Sequence, residues 1–121
     1  MKMKMSVHPK AGLIIEFFGE DSERYSMFLG DAISGDLTRT AWCDNVLERI
    51  EGFKDRHEVI LLWEGNSFNI ETDGKDVRIE FRVDLDTNSI FPLKDFQLAL
   101  TAWRRFIDST PGPGAEAHIV F

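Results

Sequence analysis

Between Val59 and Val83 two runs alternate apolar and polar residues, Phe68 to Thr72 and Lys75 to Phe81, on either side of Asp73-Gly74. A period of two marks half-buried strands. Asp-Gly between two such runs predicts a two-residue type I′ hairpin turn. That turn sets Thr72 against Lys75, Ile70 against Val77, Phe68 against Ile79 and Asn66 against Phe81, so the apolar residues share one face. Asn69, Glu71, Arg78, Glu80 and Arg82 share the other, with Arg78 diagonal to Glu71. Gly65-Asn66 predicts a second two-residue turn, of type II′, setting Trp63 against Phe68, Leu61 against Ile70 and Val59 against Thr72. The rows Trp63–Phe68–Ile79 and Leu61–Ile70–Val77 then floor the core, each large side chain contributing about 1.5–3 kcal/mol on burial. Ile60 and Leu62 point to the opposite face, which makes the first strand apolar on both sides and places it centrally or at an interface.

The remaining pattern is simpler. Residues 1–10 read as a flexible lead-in, and Leu13 to Phe18 as a strand that can join the meander. Asp21 or Ser22 caps a helix whose inner face is Tyr25, Phe28, Leu29, Ala32 and Ile33, with Gly35 as its stop. Thr38 or Thr40 starts another, with Trp42, Cys43, Val46, Leu47 and Ile50 on one face and Gly52 at its end. Asp84 to Phe91 reads as a polar connection. Pro92 then opens the strongest helix, striped by Leu93, Phe96, Ala99, Leu100, Trp103, Phe106 and Ile107. Ser109 to Gly114 breaks it, and in the tail (109–121) His118-Ile119-Val120-Phe121 either adds an edge strand or dangles. The expectation is one α+β domain over 1–121: an antiparallel meander at about 58–83 plus an N-terminal strand, helices packed on the sheet, in the order β-α-α-β-β-β-α.

Composition narrows the function. The chain has 121 residues, 43% hydrophobic, enough for a core without staples. A single cysteine excludes a disulfide framework, and no stretch is long enough to span a membrane, which points to a cytoplasmic protein. Net charge is −7, so the basic footprint that holds nucleic acid is missing. An acidic surface suits a basic protein partner.

Candidate chemistry is sparse. Asp84, Asp86 and Asn88 with Asp95 match several positions of a calcium loop, but Ser89 stands where the sharp turn needs glycine and Pro92 interrupts the loop. Cys43 lies on an apolar helix face, where a thiol is a small core residue rather than a nucleophile, and no hydrolase signature joins it to His57. His8, His57 and His118 lack metal-ligand spacing. Gly30 to Asp36 lacks the Lys-Ser/Thr step of a phosphate loop. No catalytic residue, cofactor or metal is therefore expected. Trp63 and Trp103 fit the core, while Trp42, at the start of its helix, is available as an interface anchor.

At Trp63-Glu64-Gly65-Asn66, the Asp73-Gly74 hairpin and the helix from Pro92-Leu93-Lys94-Asp95-Phe96 to Trp103-Arg104-Arg105-Phe106, the chain resembles two bacterial groups. These are the small YacL-like proteins and the immunity proteins of contact-dependent growth inhibition and related polymorphic toxin systems. The likeness runs over residues 59–108. It implies a protein that binds and blocks a cognate toxin, the C-terminal nuclease domain (tRNase or DNase) of a large secreted or surface effector. Charge and hydropathy lead to the expectation of no direct contact with nucleic acid or membrane, and a monomer or weak dimer is expected. Between Glu16 and Glu58 stand eleven carboxylates against five basic residues. From that stretch Asp31, Asp36, Asp44, Glu48, Glu51 and Asp55, with Trp42 as anchor, are the expected partner-binding residues. The hairpin face with Glu71, Asp76 and Glu80 is the alternative surface. Two other function classes remain: a YacL-like housekeeping adaptor without a toxin, and a small enzyme with an unrecognised carboxylate site.

Overall fold

The computed structural model describes residues 1–53 and 58–121. Two antiparallel sheets share one core. The first has three strands, β1 (Lys2–His8), β2 (Gly12–Phe18) and β7 (Glu116–Val120), in the order β2-β1-β7. The second is a meander of β3 (Ile60–Glu64), β4 (Phe68–Thr72), β5 (Asp76–Phe81) and β6 (Asp84–Pro92), in sequence order. Between them in the chain come α1 (Ser22–Arg24), a π-helical run over Tyr25–Gly30, α2 (Asp31–Asp36) and α3 (Thr40–Phe53). The long α4 (Leu93–Asp108) follows β6, packs on α3 and touches strands of both sheets. Its stripe of Leu93, Phe96, Ala99, Leu100, Trp103 and Phe106 is buried, as its spacing predicts. The chain is thus α+β, with three strands more than expected.

Each added strand has a physical reason. Residues 1–10 are no lead-in: Lys2-Met3-Lys4-Met5 alternates strictly, and as β1 it buries Met3 and Met5 between two neighbours. Leu13 to Phe18 pairs with β1 and not with the meander, because β1 supplies the nearer antiparallel partner through a tight connection. Asp84 to Phe91 is not a connection, since Ser89 and Phe91 alternate inward against Ile79 and Val77. Its polar outer residues disguised that period. The tail forms an edge strand, β7, on β1.

Both hairpin registers differ from expectation. At Asp73 the loop is longer: Asp73 Oδ1 accepts the N–H groups of Lys75 and Asp76, and Thr72 Oγ1 accepts that of Gly74 and donates to the Asp76 carbonyl. Only Gly74 has positive φ, at 90°, so this is not a type I′ turn. Ile70 meets Ile79 and Phe68 meets Phe81, a slip of two residues that leaves every side chain on its predicted face.

The β3–β4 turn carries the larger correction. Gly65 N–H donates to the Phe68 carbonyl, which puts Asn66 and Ser67, not Gly65 and Asn66, at the centre of the turn. A bulge between Leu61 and Trp63 then reverses the faces expected of Leu61 and Leu62, while Trp63 stays on its expected side, opposite Ile70. Leu62 is fully buried, whereas Leu61 is 44% exposed. The turn itself is held from far along the chain. Asp36, 7% exposed, accepts the N–H groups of Ser67 (3.3 Å) and Phe68 (3.1 Å) on one carboxylate oxygen. Gly65 lies so close that a Cβ there would meet that oxygen at 2.1 Å.

Candidate functional site

The helix α3 turns Cys43, Val46, Ile50 and Phe53 into the core, so residues between them face out. Asp44, Glu48 and Glu51 fall at spacings of four and three, which stacks them along one ridge. With Leu47 they line a shallow groove of about 310 Å³. Asp44 anchors its end: both carboxylate oxygens take the Arg104 guanidinium, at 2.9 and 3.2 Å, and Arg104 also reaches Asp108 at 3.4 Å. Hydrogen bonding to Arg104 holds the Asp44 carboxyl below the usual carboxylate range and raises the Arg104 pKa in turn. Among the described residues Glu48 makes no ion pair.

The other nominated residues separate. Asp36 is not a surface group at all, since its carboxylate closes the β3–β4 turn. Trp42 is half-buried, its ring 5.6 Å from Trp63 and capped by the Arg39 guanidinium at 5.1 Å. Asp31 lies away from the ridge, on a hollow of about 210 Å³ lined by Met27, Phe28, Phe68, Phe81 and Thr87, and partial burial raises its pKa. Asp55 lies outside the described residues, as does His57 of the considered Cys43–His57 pair. Of the described carboxylates in the set, the structure brings together Asp44, Glu48 and Glu51.

The alternative surface is charge-balanced. On the outer face of the meander Arg78 lies within 3.8 Å of Glu71 and 3.9 Å of Glu80. The remaining chemical candidates also resolve. Cys43 is fully buried, its thiol donates to the Leu37 carbonyl, and burial pushes its pKa up to about 11. Asp84 accepts the Asp86 N–H and the Thr87 hydroxyl, so its carboxylate is used within the irregular start of β6. Asp95 is taken by the Tyr25 hydroxyl at 2.8 Å. No group of three metal-ligating side chains occurs among the described residues, and no helix among them is long and apolar enough to cross a membrane.

One feature of the surface had no counterpart in the sequence reading. A groove of about 590 Å³ runs between the C-terminal half of α4 and β7, with Met5, Phe106, Ala117 and Ile119 among its walls. The alternation of Ala115, Ala117 and Ile119 with polar residues was its only local signal.

Fold and surface together define a small α+β domain with an acidic helical ridge. Compared with family models, curated proteins and solved structures, the chain matches none.

Proposed function

We propose that this chain is an immunity protein, a stoichiometric inhibitor that covers the basic substrate cleft of a toxin nuclease. The observation that supports this reading is the ridge of Asp44, Glu48 and Glu51 on a chain of net charge −7. A nuclease holds a polyphosphate with cations, and a surface that aligns carboxylates competes for those cations. Leu47, between the acids, supplies apolar contact once water leaves the interface. The ridge is favoured over the meander face because one cation, Arg78, lies between Glu71 and Glu80 there, whereas Arg104 takes Asp44 at the end of the ridge and Glu48 makes no ion pair among the described residues. Inhibition of this kind needs occlusion and steering, and no turnover.

The test is capture followed by assay. The tagged chain, expressed in its native strain, is purified with its partner, and the partner is assayed alone and with the chain restored. The expected result is a one-to-one complex with a basic domain whose cleavage of tRNA or DNA stops at equimolar chain. A constitutive partner without nuclease activity would replace this reading with the adaptor one.

A further inference from the structure

Among the described residues two sheets present four outer strands, and on three of them another element reaches the outward backbone. Along β2 the helical segment packs closely, and the Ser26 hydroxyl accepts the Phe17 N–H at 3.0 Å. On β6 the Arg24 guanidinium donates to the Ile90 carbonyl at 2.7 Å, held there by the Asp21 carboxylate and lying over the Phe91 ring. On β3 the Arg49 guanidinium donates to the Leu61 carbonyl at 3.2 Å. Unpaired strand edges invite pairing with another chain, and covers of this kind prevent it.

The remaining strand is β7. Phe121 N–H donates to the Met1 carbonyl and Val7 N–H to the Ala115 carbonyl, so the odd-numbered residues of β7 face β1. The N–H and C=O groups of Glu116, His118 and Val120 therefore point outward, and none has a partner among the described residues. Val120 is 80% exposed.

We propose that β7 pairs antiparallel with β7 of a second copy of this chain, about a two-fold axis at His118, joining two three-stranded sheets into one. Three observations select this occupant. The register is self-complementary: on the inner face small Ala117 meets the partner strand's large Ile119, and an added strand lies beside the groove between α4 and β7. On the outer face Glu116 meets Val120 directly and His118 diagonally, and within one chain Glu116 already lies 3.5 Å from His118. Finally, the acid is elsewhere. Residues 1–10 carry Lys2, Lys4 and Lys10 with no acid, the tail carries Glu116 alone, and Lys4 already pairs with Glu116, so β1 and β7 bring little of the chain's acidic excess to the contact.

Sedimentation of the full chain over a range of concentrations tests this. The wild type is expected to dimerise reversibly, and His118→Pro, which removes the central outward donor, to stay monomeric. Val120→Lys and Val120→Glu change an exposed side chain opposite the partner's Glu116 and, within the chain, opposite Lys2, a neighbour present in monomer and dimer alike; circular dichroism verifies the fold of each. Lysine should tighten and glutamate weaken the dimer, with dissociation constants about tenfold or more apart. A wild type that stays monomeric throughout overturns the proposal, as does a dimer indifferent to the sign at position 120. If His118→Pro fails to fold, the pair at Val120 decides.

Discussion

The turn joining β3 to β4 and the outer face of α3 both draw carboxylates from the acidic middle of the chain. At the turn, Asp36 is buried against Gly65 and accepts two backbone N–H groups. On α3, Asp44, Glu48 and Glu51 line an open groove. The groups are chemically alike, and their surroundings differ: one is enclosed by backbone donors, the others lie on the surface where the proposed partner would dock. A carboxylate ringed by backbone donors fixes the fold, whereas one in water creates a field that reaches a partner. A count of acids along a sequence measures neither alone.

Variants sharpen this contrast in order of effect. Gly65→Ala drives a Cβ into the Asp36 carboxylate and should cost about 3 kcal/mol, read as a lowered denaturant midpoint. Asp36→Ala leaves the Ser67 and Phe68 N–H groups without an acceptor and should cost about 2 kcal/mol in the same assay. The two changes act on one contact, so the double variant should lose less than their sum.

A second internal carboxylate has its own reporter. Tyr25 is the only tyrosine, its hydroxyl donates to Asp95, and burial with that hydrogen bond pushes its pKa up to about 12. Ultraviolet titration of the folded chain should therefore show phenolate near pH 12, against about 10 for the unfolded chain. The folded state favours the neutral phenol. Its contribution to stability is whole below pH 10 and declines as pH rises from there towards 12. Smallest of all should be Glu48→Lys, whose side chain lies in solvent. It is expected to change stability by no more than about 0.5 kcal/mol.

How far the fold was legible follows the reach of each signal. The α4 stripe and the faces of β4 and β5 depend on spacing within one element, and both were readable. The β3 faces were not, because a bulge between Leu61 and Trp63 shifts the register midway along the strand and Asp36 holds the following turn from α2, neither of which leaves a local pattern. Local alternation did exist in Lys2 to Met5, but it is short and followed by polar Ser6, His8 and Lys10, which made the segment read as a flexible lead-in. The candidate surface shows the same limit. Asp44, Glu48 and Glu51 share a face by helical arithmetic alone, while only the tertiary fold removes Asp36 and separates Asp31.

The central claim is that the α3 ridge steers a basic partner into place. Its most direct test is the association rate with the captured partner as a function of ionic strength, for wild type and Glu48→Lys/Glu51→Lys. The account predicts a wild-type rate that falls steeply with salt, and a variant about tenfold slower at low salt with a flattened slope. Equal rates and equal slopes for the two proteins would contradict it.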